Sequence, residues 1–304
     1  MPAYLDNAAT TRVCPEAARA ALEAMTEGFG NPSARYAAGQ AAAARVAEHR
    51  AAVARRLGCD PAELTFTSCG TEGDNWAVRA AAEHGRRRGR HIITTVIEHA
   101  AVLEPVKALA AQGYEVTYLK PDRAGRVSVD ELRAALREDT VLVSMMLVNN
   151  ELGTLQPVAQ AAQAIRDAGS PALLHCDAVQ GFLKVPFTPA RLGVDMLTLS
   201  GHKLRAPKGI GVQYIRKGLN LKPLLLGGGQ EGGLRSGTEP TAQIAALAAA
   251  CDAWGEDYPA RISALKEYAL ESLSALPGLE IVSRGDAPHI CAVSLPGYPS
   301  EMLV

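Results

Sequence analysis

The chain has 304 residues, of which 48% are hydrophobic and 21% charged, and its formal net charge is -1. A charge so close to neutral gives no electrostatic reason to expect nucleic acid or an anionic membrane surface as a partner. The chain has no run of about 18 apolar residues, which argues against a membrane span.

The six cysteines are scattered through the chain, and none of them has CxxC spacing. The N-terminal sequence lacks the cationic start and apolar stretch of a signal peptide. Both features predict a cytoplasmic protein whose cysteines are neither disulfide-bonded nor metal ligands.

Short β-rich runs alternate with alanine-rich helical stretches along the chain. In chain order the pattern predicts a helix at 37–57, a strand at 63–67, a helix at 71–87, a strand at 91–96, a helix at about 100–112, a strand at 114–119, a short helix opened by a capping box at 128–131, a strand at 140–148, a helix at 158–168, and strands at 172–176, 195–200 and 209–215. Such alternation is typical of βαβ units. We therefore expect an α/β fold with a mostly parallel central sheet flanked by helices.

The last quarter of the chain predicts a second, smaller α+β domain. Residues 241–276 have a helical pattern with a break near 257–259, and strands are predicted at 279–283 and 290–295. The predicted division is a large domain over 13–245 and a small domain from 1–12 and 246–304. A helix start at 299–304 is cut short, so we expect the small domain to be C-terminally incomplete.

Polar or ionisable side chains follow five of the predicted strands at the point where each strand ends. They lie at 68–71, 97–99, 149–151, 177–180 and 201–203. In open α/β sheets, ligands bind beyond the carboxyl ends of the strands. The sequence therefore predicts one binding site at this edge of the sheet.

Six residues at these strand ends could bind an anion or an aromatic ring. The small residues Gly70 and Thr71 open a helix, whose free amides and dipole attract phosphate. Ser200 and His202 could add donors to the same anion. Asp177 could pair with a cationic ring nitrogen, and Gln180 could bond a ring oxygen.

Two further residues could carry chemistry. His99 is suited to stack on a flat ring or to move a proton. Lys203, with its pKa lowered by burial or nearby positive charge, could form a Schiff base. Taken singly, each candidate has an ordinary explanation as a solvated lysine, a helix cap or a turn residue. Their shared location favours a site for pyridoxal phosphate, whose signature is a Schiff-base lysine with an acidic partner for the ring nitrogen.

Several segments together resemble a known family. They are, in order between residues 4 and 240, YLDNAATT, GNPSARYAAG, FTSCGTEGDN, IEHAAV, VNNELGTLQP, HCDAVQ, SGHKLRAPKGIG and GGGQEGGLRSGTEP. The match as a whole runs from residue 4 to about 300. These segments resemble the NifS/IscS-like cysteine desulfurases, which are class V, fold-type I enzymes that use pyridoxal phosphate. The resemblance implies the fold-type I transferase architecture and this cofactor.

The resemblance also implies a role for each candidate. Lys203 would hold the cofactor covalently, and His99 would stack on its ring and help move protons. Asn150 would help bind the substrate carboxylate. The remaining roles are contacts to the ring and the phosphate, implied for Asp177, Gln180, Gly70, Thr71, Ser200, His202 and, from the partner subunit of a homodimer, Thr238.

The implied reaction converts L-cysteine to L-alanine and passes sulfur as a persulfide to an acceptor protein, a scaffold or carrier in iron–sulfur cluster or thio-cofactor supply. Family members carry the nucleophilic cysteine on a mobile loop, and a carboxylate-binding arginine, beyond the segment that these residues match. None of the six cysteines occupies that position. Gly232 also replaces a basic residue that is usual in the family. We therefore expect impaired activity from these 304 residues.

Two alternatives stay open at this point. One is another class V lyase that uses pyridoxal phosphate, such as one acting on selenocysteine. The other is a protein that binds pyridoxal phosphate without catalysis.

Overall fold

The computed structural model describes residues 4–299, and its fold is built on one seven-stranded sheet. The strands are β1 (Leu64–Thr67), β2 (His91–Thr95), β3 (Glu115–Leu119), β4 (Thr140–Ser144), β5 (Leu173–Asp177), β6 (Met196–Ser200) and β7 (Gly211–Ile215). Their spatial order is β1-β7-β6-β5-β4-β2-β3. Strand β7 runs antiparallel to β6 and β1, whereas the other pairs are parallel. The sheet is therefore mostly parallel, as the sequence predicts.

Helices cover both faces of this sheet. They are α1 (Pro15–Thr26), α2 (Ala37–Leu57), α3 (Gly70–Gly85), α4 (Ala100–Ala110), α5 (Val129–Ala135), α6 (Val158–Asp167), α7 (Pro189–Leu192), α8 (Thr241–Asp252) and α9 (Tyr258–Ser274). Alternate residues of β2 and β4 face opposite sides. Ile92 and Leu142 belong to the core that includes α3 and α4, and Ile93 and Val143 belong to the core that includes α2, α6 and α8. Burial on both faces explains the continuous apolar runs of these strands.

Strand β4 ends four residues earlier than the predicted strand 140–148. The amides of Met145 and Leu147 still donate to the carbonyls of His175 and Asp177 on the β5 side. On the other side, the amide of Met146 donates 2.8 Å to Glu98 Oε1 instead of to a strand. The regular ladder stops because a buried carboxyl group replaces the backbone partner.

The C-terminal part contains α9 and a two-stranded antiparallel sheet of β8 (Glu280–Ser283) and β9 (Ala292–Ser294). Helix α8 packs against α1 and α2, and the predicted domain boundary at 245/246 falls inside it. The division into two domains stays a prediction. The predicted helix start at 299–304 lies almost wholly outside the described residues.

Helix α1 is absent from the sequence prediction, although Pro15 at its first position and Glu16 in its first turn are common helix-start residues. The predicted break in the long C-terminal helical stretch is present, and it separates α8 from α9. Between residues 4 and 299, every helix is too short or too polar to cross a membrane.

Gly73 sets how closely α3 approaches the sheet beneath the predicted site. A Cβ atom at this position would lie 2.7 Å from Thr198 Cγ2 and 2.8 Å from Gln213 Oε1. These distances are too short for a side chain, so the helix can pack here only with glycine. The N-terminus of α3 is thereby held against the carboxyl ends of the central strands.

We predict that Gly73→Ala destabilises the cofactor-free protein by about 1–3 kcal/mol because the added methyl group overpacks the contact. This loss outweighs the gain of up to about 1 kcal/mol in helix propensity. Urea denaturation followed by circular dichroism measures the change. Glu104→Ala, at an exposed position of α4, is the control and should change stability by less than about 0.5 kcal/mol. An unchanged G73A protein would contradict the close approach of α3.

Candidate functional site

A cavity of about 560 Å³ opens at the carboxyl ends of the central strands. Nine of the ten predicted site residues line it: Gly70, Thr71, His99, Asn150, Asp177, Gln180, Ser200, His202 and Lys203. The tenth, Thr238, is exposed and lies outside this cavity. The fold therefore brings together side chains that are up to 133 positions apart in sequence, from Gly70 to Lys203.

Lys203 follows β6 in a short 3-10 turn, and its ammonium group faces the N-terminal segment. Its Nζ donates to the carbonyl oxygens of Ala8, at 2.5 Å, and Ala9, at 2.7 Å. Burial lowers the pKa of Lys203, while the nearby Asp6 and Asp177 act in the opposite direction. A lowered pKa increases the fraction of free amine, which is the form that attacks a carbonyl carbon.

Asp177 ends β5 with a buried carboxyl group. One oxygen accepts 2.9 Å from the amide of Val179, and Asp177 forms no salt bridge with any side chain of residues 4–299. Burial, followed by the neighbouring Asp74, raises the pKa of Asp177 to about 7. A buried acid without a cationic partner is costly to ionise, so the site favours a cationic ligand group beside it.

Two further buried acids lie beneath the cavity. Burial raises the pKa of Asp74 to about 7 and that of Glu98 to about 8. Asp74 Oδ1 lies 3.5 Å from His175 Nε2, and His175 also contacts Ser144 Oγ at 2.9 Å and Thr198 Oγ1 at 3.0 Å. These contacts hold Asp74 and His175 in place close to Asp177. The sequence analysis missed Asp74, because it stands between polar neighbours, Glu72 and Asn75, and its burial leaves no mark in the residue pattern.

The phosphate end predicted from the sequence lies at the N-terminus of α3. The N-cap residue Cys69 makes no side-chain capping bond, so the first amides of this helix are left for another acceptor. Gly70 and Thr71 line the cavity together with the buried Ser200. A Cβ at Gly70 would lie 3.0 Å from Val179 Cγ2 and 3.4 Å from Ser200 Cβ, so a larger residue would crowd this corner.

His99 is a helix cap, which is the ordinary explanation weighed from the sequence, and its role toward a ligand stays a prediction. It is the N-cap of α4, where its Nδ1 accepts 3.1 Å from the amide of Ala101, and it also lines the cavity. The capping bond places the ring proton of neutral His99 on Nε2. Asn150 lines the same wall, whereas its neighbour Asn149 is buried and holds the loop through Ile97, Glu151 and Leu152.

The N-terminal segment closes the cavity from above, which the sequence analysis did not anticipate. Thr10 Oγ1 lies 3.1 Å from His202 Nδ1, and the amide of Thr11 donates 2.9 Å to the His202 carbonyl. Burial, with Lys203 next, lowers the pKa of His202 to about 4, so this ring is neutral at pH 7. Contacts made by backbone carbonyls leave no mark in residue type, which explains the omission.

Comparison with known proteins places this architecture in a family. The profile of the family described as aminotransferase class-V matches residues 3–304. The chain belongs to the aminotransferase class-V family. Cysteine desulfurase 2 of Trichormus variabilis is 49% identical over 249 residues, which are 82% of this chain and 62% of that protein. The chain thus spans less than two thirds of the length of this relative.

Solved structures agree with the assignment. A NifS-like protein superposes with a TM-score of 0.93 at 38% identity, over 100% of this chain and 84% of the other. A structure described as SspA in complex with cysteine superposes with a TM-score of 0.82 at 35% identity, over 89% of this chain and 78% of the other. The predicted resemblance, the fold-type I architecture and the pyridoxal phosphate cofactor are confirmed at the level of the family.

The residues present fit this cofactor. Free amides at the start of α3 suit a phosphate, the unpaired carboxyl of Asp177 suits a protonated ring nitrogen, and the amine of Lys203 suits an aldehyde. All three lie on one cavity. The role of each residue toward the cofactor stays a prediction.

The buried acids also predict how stability depends on pH. A carboxyl group whose pKa is raised in the folded state keeps its proton while the unfolded chain loses one, so folding stability falls as pH rises between the two pKa values. For Glu98 this window runs from 4.5 to about 8. Glu98→Gln removes the ionisation and should remove this contribution.

We predict that the stability of E98Q relative to the unaltered cofactor-free protein rises by up to about 1.4 kcal/mol per pH unit from pH 5 to 7.5. Urea denaturation at a series of pH values measures it. Taking the difference cancels the opposing contribution of His175, whose lowered pKa makes stability rise with pH between about 4 and 6.5. Glu104→Gln, on the surface, is the control and should give a flat difference. A flat line for E98Q would show that Glu98 ionises normally.

Proposed function

We propose that this protein is a pyridoxal phosphate-dependent cysteine desulfurase that converts L-cysteine to L-alanine and passes the sulfur as a persulfide to an acceptor protein. The observation that carries the proposal is the convergence of Lys203, Asp177 and the start of α3 on one cavity. The relatives named cysteine desulfurase and the SspA structure described with cysteine support the choice of substrate.

Each residue has a role that its position supports. When bound, the cofactor withdraws electrons from the substrate α-carbon. Lys203 would hold its aldehyde carbon through Nζ. Asp177 would accept a hydrogen bond from the ring nitrogen and balance its positive charge. The amides of Gly70 and Thr71, with Ser200 Oγ and the His202 ring, would hold the phosphate.

Substrate binding and proton transfer involve the other wall of the cavity. Asn150 would donate its side-chain amide to the substrate carboxylate. Lys203 Nζ would accept the α-proton of the substrate, and burial favours the neutral, basic form of this amine. His99 would stack on the ring, and its Nε2–H, fixed by the Nδ1 capping bond, could donate toward the substrate.

The cysteines of residues 4–299 differ in their access to this chemistry. Burial raises the pKa of Cys59 and Cys251 to about 12 and raises that of Cys176 well above its usual value, so these thiols stay protonated. Cys69 lines the cavity beside the proposed phosphate site. A nucleophilic cysteine would instead have to reach the sulfur atom of the substrate. We therefore assign a structural role to Cys59, Cys176 and Cys251.

The proposal includes a homodimer located in the cytoplasm. Thr238 is exposed outside the cavity, so its side chain is accessible to a second copy. Large apolar side chains on the surface, such as Leu226 at 88% and Phe29 at 76% exposure, support an interface between copies. A sulfur-acceptor protein is the proposed macromolecular partner.

We predict that Lys203→Ala abolishes covalent attachment of the cofactor. After reconstitution with pyridoxal phosphate and reduction with borohydride, the unaltered protein should gain the mass of one reduced cofactor on the peptide that contains Lys203. K203A should gain none, because Lys203 is the one lysine among the described residues that line the cavity. Lys208→Ala, an exposed neighbour, is the control and should retain the label. A labelled K203A protein would move the attachment elsewhere.

The reaction itself is tested by measuring alanine released from L-cysteine and from L-selenocysteine. The proposal predicts alanine from cysteine, with loss of at least about 1000-fold in K203A because the proton acceptor is removed. Alanine from selenocysteine alone would favour a selenocysteine lyase. Cofactor binding with neither product would favour a binding protein without catalysis.

A further inference from the structure

The side-chain amide of Gln180 is held from three directions. Its Nε2 donates 2.8 Å to the carbonyl of Ala8, the same oxygen that accepts from Lys203 Nζ. Its Oε1 lies 3.3 Å from Lys184 Nζ and 3.1 Å from His289 Nε2. Both polar atoms of the amide therefore have hydrogen-bond partners, and Gln180 lines the cavity.

Lys184 and the Ala8 carbonyl together determine which way round the amide lies. Burial lowers the pKa of Lys184 to about 7, and its ammonium form donates hydrogen bonds without accepting them. The Ala8 carbonyl only accepts, so the oxygen of Gln180 faces Lys184 and its nitrogen faces Ala8. His289 fits this orientation, because burial lowers its pKa and the neutral ring can carry its proton on Nε2 and donate to the same oxygen. The amide nitrogen is thereby turned toward Ala8, which uses one of its two hydrogens, and the cavity can take the other.

The burial of Lys184 lowers the stability of the folded protein. Lys184 is only 4% exposed, and no carboxylate of residues 4–299 pairs with it. An unpaired buried ammonium lowers stability. The residue before it, Leu183, has φ +62, a left-handed conformation that is strained for a leucine. Two unfavourable features at adjacent residues beside a cofactor pocket indicate a functional constraint.

His289 reaches Gln180 from the C-terminal part of the chain. Its loop is docked on residues 149–156, because the amide of Ala287 donates 2.9 Å to the Gly153 carbonyl and Asp286 accepts from Leu155. Asp286 also binds Arg126 at 2.7 Å. These contacts hold the His289 ring in place, so the Oε1 side of Gln180 is supported by two separate parts of the fold.

We propose that Lys184 is a positioning residue that, with His289, fixes the amide of Gln180 so that its Nε2 donates a hydrogen bond into the cavity. The ligand atom that it would meet is an anionic or neutral oxygen without a proton. The identity of that atom as the ring oxygen of pyridoxal phosphate rests on the proposed function. The orientation of the amide does not.

Lys184→Met tests the proposal, since methionine fills a similar volume and cannot donate. We expect the dissociation constant of pyridoxal phosphate to rise about three- to tenfold, the value of one hydrogen bond, and the visible absorption band to shift. Lys208→Met removes a lysine near the cavity that does not contact Gln180, and should leave both unchanged. K184M should unfold at an equal or higher temperature than the unaltered protein, because it removes a buried charge.

A double-mutant cycle separates positioning from charge. If Lys184 acts through Gln180, K184M changes the dissociation constant by less than about twofold in a Gln180→Ala background. An equal effect in both backgrounds would overturn the proposal, since Lys184 would then act by its charge. If K184M does not fold, Lys184→Gln serves instead, because an amide both donates and accepts and so permits the flipped orientation.

The cofactor-free protein supplies a readout that does not depend on the proposed function. In ¹⁵N-labelled protein, the side-chain NH₂ of Gln180, assigned by its loss in Gln180→Ala, should exchange slowly with solvent. Exchange should accelerate at least about tenfold in K184M and stay unchanged in K208M. Slow exchange that persists in K184M would overturn the proposal. Failure of the unaltered protein to bind pyridoxal phosphate would overturn only the proposed function.

Discussion

The buried, unpaired carboxyl group of Asp177 is the constraint on which the rest of the site depends. It lies at the end of β5, in the middle of the sheet, and a single backbone amide satisfies it. Burial raises the pKa of Asp177 to about 7, and the neighbouring Asp74 raises it as well. Glu98 is also a buried acid, so the nearby buried carboxyl groups do not stabilise a negative charge on Asp177. Bringing a protonated ring nitrogen to this position converts an unfavourable burial into an ion pair in a low-dielectric setting.

The other groups are arranged around that carboxyl by the same sheet. Parallel strands deliver their carboxyl ends to one edge, so loops that are distant in sequence meet there. Gly73 allows α3 to press its N-terminus against this edge, and the N-terminal segment closes the cavity over Lys203. Lys184 and His289 then fix Gln180 from the far side. The site thus draws its rigidity from packing beneath it and hydrogen bonds above it.

Residue patterns predicted the central sheet well because strands buried on both faces are apolar throughout and are bounded by small polar residues. The sequence also predicted that Lys203, Asp177 and Gly70 lie close together, and they line one cavity because each lies at or just after the end of a strand; their roles stay predictions. The early end of β4 was not predictable, since it depends on Glu98, a side chain 48 positions from the Met146 amide that it binds. Helix α1 was missed although Pro15 and Glu16 are helix-start residues. The roles of Ala8 and His289 were missed because they depend on tertiary contacts and backbone atoms, which residue type does not encode.

The ionisation of Asp177 is the quantity that tests this account most directly. Infrared difference spectra of the protein at pH 6, recorded with and without pyridoxal phosphate, report the carbonyl stretch of protonated acids. The account predicts that one such band disappears when the cofactor binds and that the loss is absent in Asp177→Asn, because the carboxyl ionises only when a cationic ring nitrogen arrives. A spectrum in which no acid band changes, or in which the same loss persists in Asp177→Asn, would contradict it.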